Sequence, residues 1–357
     1  MALIVLGAGA TRGASFVNGE HIVGDDGGCS GTCLPPLDSD FFTQLQRIQS
    51  DKHKDIIDAT IKDAVDLFDH NFSITLETMF TTIEHTLRMV ELTENKWGYN
   101  WDELENKRLN LMQALAAVFE ESLTTGDTGG HGSQHRDCEY HQELVQQLKQ
   151  KDTIVSLNYD CLIDYALKEH GDKKWNAGYG YCLPRSGGRY SKLKGEDYWN
   201  PKPTPSSGTN SIRLLKLHGS LHFSEDNRQD RWKLKKYPYT RRHRNLHFQV
   251  IPPEWNKQFD KGIYGRIWAE AAKRIHGAET VVVIGYSFPL TDLHTSALFR
   301  VSVKAKKLRN LVIVNPDSEA RKRAQDILRK GMEITTRVMV FDSFASFIKT
   351  PRDVWDQ

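Results

Sequence analysis

Five short apolar runs recur along the chain, and each is followed at once by a turn of small or polar residues. The runs span residues 3–6, 154–157, 214–217, 281–284 and 311–314. Parallel strands that are covered on both faces have such nearly continuous runs of Val, Ile and Leu. The turns that follow them are Gly7-Ala8-Gly9-Ala10, Asn158-Tyr159-Asp160, His218-Gly219-Ser220, Gly285-Tyr286-Ser287 and Asn315-Pro316-Asp317. Because ligands bind outside the carboxyl ends of parallel strands, we expect all five turns to line one crevice.

Residues 41–148 follow a helical period instead. Asp38-Ser39-Asp40 supplies N-cap residues for a helix that begins near Phe41. Apolar residues then recur three or four positions apart, namely Ile57, Ile61, Ala64 and Phe68 in one segment and Leu109, Met112, Leu115, Ala116 and Phe119 in another. The stretch contains no convincing strand pattern, so we predict a helical insertion over 41–148.

Together these patterns predict an α/β fold, a Rossmann-like parallel sheet with a large helical insertion, in a single domain over residues 1–357. Residues 172–210 are rich in Gly, Pro and Ser and predict a long loop over the crevice. Residues 224–250 predict a second small insertion. Further helices are predicted near residues 141–149, 161–168, 264–275 and 318–330.

Composition narrows the class of protein. A formal net charge of +2 over 357 residues is too balanced to indicate that the whole molecule binds nucleic acid. No apolar run approaches the ~20 residues of a membrane helix. The apolar N-terminus lacks a basic region and predicts a buried first strand rather than a signal peptide. Five cysteines, an odd and low number, indicate a reduced, cytoplasmic protein.

The turns after the first two runs carry candidate binding groups. Gly7-Ala8-Gly9-Ala10, followed by Thr11 and Arg12, would let the backbone approach a phosphate, although glycines after a strand also make plain tight turns. Arg12 is either a phosphate contact or an ordinary surface arginine. Asn158 can donate and accept, so it can orient a water or a ribose hydroxyl. Asp160 is either a second ligand or a helix cap. We therefore expect the crevice to hold a nucleotide.

The later turns add a candidate base and further nucleotide contacts. A histidine at the position of His218 can act as a general base near neutral pH, and Gly219 would leave space beside its ring. The alternative is a packed histidine with both ring nitrogens satisfied. Gly285 and Ser287 suit a phosphate or a ribose, and Asn315 suits the hydroxyls of an adenosine.

Two other clusters are weaker signals. The pair Cys29 and Cys33 and the group His131, His135, Cys138 and His141 match no complete zinc spacing, so we predict no metal site. Residues 228–244 hold eight Lys and Arg with interleaved aromatic residues. Such a mixture can bind nucleic acid, but a solvated lobe or a protein contact is favoured.

In this order, the five turns resemble the sirtuin (silent information regulator) superfamily, and more closely the bacterial sirtuin-like NAD-cleaving proteins of antiviral defence. The chain departs from the protein-deacetylating members, which carry two C-x-x-C pairs in a zinc module after the His-Gly motif. Here residues 219–280 contain no cysteine, and Leu157 stands where a glutamine is typical. The resemblance therefore implies NAD cleavage and puts deacetylation in doubt.

The resemblance also implies roles for the candidate residues. Asn158 would position the water and the ribose, Asp160 would bind the carboxamide side, and His218 would act as the base. The pyrophosphate would be held by Gly7, Ala8, Gly9 and Ser287. NAD would be the substrate, and no zinc is expected.

A free NAD hydrolase would exhaust the NAD of its cell, so control by assembly is expected. The helical insertion 41–148 supplies apolar helix faces beyond what one Rossmann-like core needs, which predicts a homo-oligomer. The resemblance implies a separate defence subunit such as a HerA-type DNA translocase. Three alternatives remain open at this point: an NAD-dependent protein deacylase, a non-catalytic module that binds NAD or ADP-ribose, and a nucleic-acid-processing subunit of a defence complex.

Overall fold

The computed structural model describes residues 1–17, 33–69, 74–93, 100–125, 134–184, 193–203, 210–226, 231–239, 249–250 and 262–357. Within these ranges the chain forms twelve strands: β1 (Ala2–Leu6), β2 (Thr124–Thr125), β3 (Gln134–His135), β4 (Thr153–Ser156), β5 (Arg213–Lys216), β6 (Gly219–Ser220), β7 (Phe223–Asp226), β8 (Arg231–Leu234), β9 (Gln249–Val250), β10 (Thr280–Ile284), β11 (Asn310–Val314) and β12 (Arg337–Phe341).

Six of these strands form one parallel sheet in the order β12-β11-β10-β1-β4-β5. The chain starts at an inner strand, builds outward to β5, and then returns to build outward on the other side. This is the strand order of the dinucleotide-binding Rossmann fold. The predicted fold class is confirmed, and each of the five apolar runs contributes a sheet strand.

The sixth strand, β12, was missed in the sequence analysis. It is the edge strand beside β11, and its Val338 and Val340 are exposed. The other five strands are almost wholly buried, which is why they read as unbroken apolar runs.

The described residues also form fourteen α-helices: α1 (Ala8–Arg12), α2 (Phe41–Gln46), α3 (Lys54–Phe68), α4 (Leu76–Leu92), α5 (Trp101–Leu123), α6 (Glu139–Gln147), α7 (Leu162–His170), α8 (Ala177–Gly180), α9 (Glu196–Trp199), α10 (Gly262–Gly277), α11 (Leu293–Ser302), α12 (Ser318–Leu328), α13 (Phe344–Ile348) and α14 (Arg352–Trp355). None of the helices built from these residues is both long and apolar enough to cross a membrane.

The insertion between β1 and β4 is mainly helical, as its period predicts. Its longest helix, α5, is buried along most of its length between α3 and α4, with Leu111, Leu115 and Val118 in the core. The prediction that 41–148 contains no strand was wrong in one detail, because β2 and β3 pair as a short antiparallel hairpin. Two-residue strands are too short to give an alternating pattern in the sequence.

Candidate active site

A cavity of about 830 Å³ lies at the carboxyl edge of the sheet. It is lined by the turns after β1, β4, β5, β10, β11 and β12, by residues 36–39, and by α4 and α5 of the insertion. Of the candidate site residues, those on its wall are Ala8, Gly9, Thr11, Arg12, Asn158, Asp160, His218, Gly285, Ser287 and Asn315. All five predicted turns therefore meet at one site.

The glycines of the first turn serve backbone packing. A Cβ on Gly7 or Gly9 would lie 2.6 Å or 2.8 Å from the carbonyl oxygen of Gly285, so the turns after β1 and β10 touch only because side chains are absent. Gly285 itself has a φ of +61°, which favours glycine.

The same packing limits how the backbone of this turn can approach a phosphate, because three of its N–H groups are already bonded. Gly7 N donates to the Ile284 carbonyl, Gly9 N to the Gly285 carbonyl and Ala10 N to the Gly7 carbonyl, at 2.9–3.0 Å. Gly7 and Ala10 are buried behind the cavity wall rather than on it. A phosphate at this turn would therefore contact the residues on the cavity wall, such as Ala8 and Thr11. It would not bond to the N–H groups of Gly7, Gly9 and Ala10.

Asn158 is held in one orientation by its neighbours. Its Nδ2 donates to the Gly7 carbonyl and to Thr11 Oγ1, both at 3.0 Å. Since a carbonyl oxygen can only accept, the amide nitrogen must face Gly7. The Asn158 Oδ1 atom is buried and has no hydrogen-bond partner among the described residues. A buried acceptor without a partner costs stability unless a ligand or water satisfies it, so this oxygen is suited to accept from a hydroxyl or a water in the cavity.

Asp160 is occupied by structural contacts. Its Oδ2 accepts from Thr11 Oγ1 at 2.8 Å and its Oδ1 from the Leu162 N–H at 2.9 Å, at the start of α7. Its carbonyl oxygen accepts from the buried Lys216 ammonium. These contacts favour the capping role over the ligand role that the resemblance implies. Thr11, predicted only as a nucleotide contact, joins the turns after β1 and β4.

His218 faces a buried carboxylate. Its Nε2 lies 3.4 Å from Asp292 Oδ2, and the Tyr286 hydroxyl donates to the same oxygen at 2.7 Å. The other oxygen of Asp292 accepts from the Thr295 N–H at 3.3 Å and so caps α11. The sequence analysis did not assign Asp292 a role. Its signal was part of the resemblance, because the defence relatives also show an acidic residue after Gly-Tyr-Ser, which in this chain is Asp292.

Arg12 is not available as a simple phosphate contact. Its guanidinium forms an ion pair with Asp40 and donates to the Pro35 carbonyl at 2.7 Å. It lies on the cavity wall with its charge largely offset.

Two acidic residues that were not predicted as site residues line the cavity, one just before the helical insertion and one within it. Asp38 and Glu77 line the cavity beside Tyr159. Burial, and then the negative charges of Asp292, Glu77 and Asp38, raise the pKa of the Tyr159 hydroxyl well above its ordinary value. This end of the cavity therefore favours a cationic ligand.

Comparison with known proteins agrees with this geometry. The family model of the SIR2-like domain matches residues 152–336, which is more than half of the chain. The chain belongs to the SIR2-like family. SIR2-like domains use NAD, and this protein accordingly has an NAD-dependent activity of the sirtuin kind.

Other comparisons are more distant. No curated protein matches this SIR2-like chain. A solved structure described as "Structural Basis for the Mechanism and Regulation of Sir2 Enzymes" is similar, at 11% identity over 70% of this chain and 82% of that chain, with a TM-score of 0.33. At this sequence identity and TM-score, we assign no residue of this chain a role from that structure.

The cavity of this SIR2-like protein has groups that fit NAD. The unpartnered Asn158 Oδ1 suits a ribose hydroxyl, and the acidic wall near Tyr159 suits the positive nicotinamide ring. Asn315 and Asp317 lie at the end of β11, on the far side of the first turn, where an adenosine ribose would lie in a Rossmann-like site.

Two other predicted features are the loop over the crevice and the basic stretch 228–244. None of the described residues of 172–203 lines the cavity, so the expectation of a loop over the crevice was wrong for them; Trp175 and Trp199 instead pack into the core. Of the basic stretch 228–244, residues 228–230 and 240–244 lie outside the described residues.

The metal candidates do not form a cluster in the part of the chain that is described. No group of three or more His, Cys, Asp or Glu there could hold a metal ion. Cys29 and His131 lie outside the described residues. Cys138 and His141 do form a pair, with the thiol 3.1 Å from His141 Nδ1.

Proposed function

We propose that this SIR2-like protein hydrolyses the nicotinamide–ribose bond of NAD+ to give nicotinamide and ADP-ribose. The observation that carries the proposal is the pairing in one cavity of a buried, unpartnered Asn158 Oδ1 with a His218 imidazole held by Asp292. The first is suited to position a water or a ribose hydroxyl, and the second to take its proton.

In the reaction proposed, the bond between the ribose C1′ and the nicotinamide nitrogen breaks, and its electron pair leaves with nicotinamide. The oxygen of a water forms the new bond to C1′, and the proton lost by that water passes to His218. His218 Nε2 faces the Asp292 carboxylate, so Nε2 carries the hydrogen and Nδ1 is the basic nitrogen. Asp292 then stabilises the imidazolium that forms.

The acidic wall supports the same chemistry electrostatically. Positive charge moves from the nicotinamide ring to the ribose as the bond breaks, and fixed negative groups stabilise that charge most when they are buried. Asp38 and Asp292 both line the cavity beside Tyr159. We infer that they lower the energy of the oxocarbenium-like transition state.

Hydrolysis is preferred over protein deacylation on the sequence. Residues 219–280 hold none of the cysteines of the deacetylase zinc module. The insertion places Leu76, Leu115 and Phe119 on the cavity wall, which adds apolar cover to the site. We therefore propose that a water molecule, rather than the oxygen of an acyl-lysine, attacks the ribose.

We further propose that the enzyme acts in bacterial antiphage defence by depleting NAD, as a homo-oligomer controlled by a partner such as a HerA-type DNA translocase. The support is the resemblance to defence NADases and the toxicity of uncontrolled NAD hydrolysis. Light scattering and NAD+ turnover, with and without the translocase, test this. A monomer that works at full rate alone, unchanged by the partner, would remove the assembly proposal.

The activity is tested with purified protein and NAD+, following nicotinamide and ADP-ribose. We expect His218→Ala and Asn158→Ala each to reduce turnover by ~10²–10⁴-fold, which is typical for loss of a positioned base. His85→Ala, which alters an exposed histidine of α4, is the matched control and keeps wild-type turnover. Binding of NAD+ without turnover would identify a non-catalytic module. Turnover only with an acylated peptide would identify a deacylase.

A further inference from the structure

The helical insertion contacts the loop that carries Asp292. Thr291 Oγ1 donates to Glu77 Oε2 at 2.6 Å, and the Glu77 N–H donates to Asp38 Oδ1 at 2.8 Å. Glu77 lies in the first turn of α4, is only 8% exposed, and is 214 residues from Thr291 in the chain. A hydrogen bond to a buried carboxylate is among the stronger ones in proteins.

The loop 285–292 is held by several contacts, and one of its residues is largely exposed. Arg323 Nε donates to the Ser287 carbonyl at 2.9 Å, and Phe288 is buried against Phe299. Leu290, by contrast, is 81% exposed. The hydrogen bond from Thr291 joins the second half of the loop to the helical insertion directly before Asp292. It adds to the bond from the Asp292 N–H to the Pro289 carbonyl at 3.0 Å and to the contacts of the Asp292 carboxylate with Tyr286 and Thr295.

The position of Asp292 matters because of His218. Asp292 Oδ2 accepts from Tyr286 and faces His218 Nε2 at 3.4 Å, a distance that a small loop movement would change. Misplacement of a catalytic group by about 1 Å can cost up to ~10²-fold in rate.

We propose that Glu77 is a positioning residue of the NAD site, which acts through Thr291 to hold Asp292 against His218. The inference rests on the proposed function. Its consequence is that α4, which lies outside the residues 152–336 of the SIR2-like match, is part of the catalytic apparatus. A change in the insertion that moves the first turn of α4 would alter the reactivity of His218.

The test compares Thr291→Val, which removes the hydroxyl, with Thr291→Ser, which keeps it. We expect Thr291→Val to lower kcat by ~10-fold with KM for NAD+ within twofold of wild type, and Thr291→Ser to restore kcat. Thr86→Val is the matched control, because the Thr86 hydroxyl donates to the Thr82 carbonyl within α4 and not to the loop that carries Asp292.

A double-mutant cycle separates positioning from a direct effect of Glu77. We expect Thr291→Val to cause no further loss of kcat in a Glu77→Ala background, since the bond is already absent. Full additivity of the two losses would overturn the proposal, and so would wild-type kcat in Thr291→Val.

Hydrogen exchange provides a readout independent of turnover. Amides of residues 286–296 are expected to exchange faster in Thr291→Val than in wild type, and to be unchanged in Thr291→Ser and Thr86→Val. If the wild type did not cleave NAD+, the proposed function would fail, and this measurement would still decide whether Glu77 holds the loop. Unchanged exchange in Thr291→Val would overturn the positioning role.

Discussion

His218 follows strand β5 and Asp292 caps helix α11, 74 residues apart in the chain, and their side chains meet at 3.4 Å in the candidate active site. Both are buried, and the Tyr286 hydroxyl donates to the same carboxylate oxygen that faces His218. A buried carboxylate beside an imidazole sets which ring nitrogen carries the hydrogen and stabilises the charged ring. The pair therefore suits His218 to the general-base role that we propose for it.

Asp292→Asn should lower kcat for NAD+ cleavage by ~10²-fold or more, because the amide no longer stabilises a protonated His218. Asn retains an oxygen for the Tyr286 hydroxyl, so the fold should persist. The measurement is steady-state turnover together with ADP-ribose affinity by calorimetry, which should change little. Wild-type kcat in a folded variant would show that His218 works without its partner.

Lys216→Met should destabilise the protein by about 3–5 kcal/mol, the usual cost of leaving one member of a buried ion pair alone. Lys216 and Asp164 are both fully buried, with Nζ 3.1 Å from Oδ2. Burial is the largest single effect and would lower the pKa of Lys216, but the charge and hydrogen bond of Asp164 and the charges of other nearby acidic groups together outweigh it, and the pKa is raised. The lysine therefore stays charged.

Urea unfolding measures this effect. Lys304→Met, at an exposed lysine, serves as the control and should change the free energy of unfolding by less than about 0.5 kcal/mol. If Lys216→Met lowered the free energy of unfolding by less than about 1 kcal/mol, the ion pair between Lys216 and Asp164 would not form in solution.

Cys138 should be a thiolate at pH 8. Burial raises its pKa, but the charge and hydrogen bond of His141, with the Ser15 N–H, outweigh burial and lower the pKa from 9.0 to about 7. Thiolate absorbance near 240 nm should thus rise with a midpoint near pH 7. The step should be lost in Cys138→Ser, and should move to higher pH in His141→Gln. Burial raises the pKa of Cys33 to about 12, so that thiol stays protonated and does not interfere.

Asp342→Ser should improve binding of NADP+ relative to NAD+ by about tenfold, because it removes a negative charge from the adenosine end of the cavity. It also releases Arg321, which now forms an ion pair with Asp342, to meet a 2′-phosphate. Affinities by calorimetry, measured on a catalytically inactive background, test this. Asp353→Ser, an equal change of charge at an exposed residue, controls for net charge. An unchanged ratio of the two affinities would place the adenosine elsewhere.

The purified protein should contain no stoichiometric zinc, because residues 219–280 hold no cysteine. Elemental analysis measures this directly. About one zinc per chain would instead bring the Cys29/Cys33 pair and the 131–141 cluster into play.

Much of the fold was predictable because the signals are local. The five buried strands are recognisable as apolar runs in the sequence. The turns that follow these strands predict that Asn158 and His218 lie in the same crevice. Helices α3 and α5 follow from their apolar period. The edge strand β12 and the hairpin β2–β3 were missed, since one is largely exposed and the other is two residues long on each side.

The sequence by itself determined the parallel sheet, the helical insertion and the edge of the sheet at which the site lies. Strand burial and turn type depend on residues that are close together in the chain, so a short segment of sequence is enough to predict them. Only the tertiary structure decided which side chains contact one another. Thr11 donates to Asp160, 149 residues away in the chain, and Thr291 donates to Glu77, 214 residues away. Asp292 faces His218. Such contacts depend on how distant segments pack, and a polar residue in a turn has the same local pattern whether it caps a helix, binds a ligand or holds another side chain.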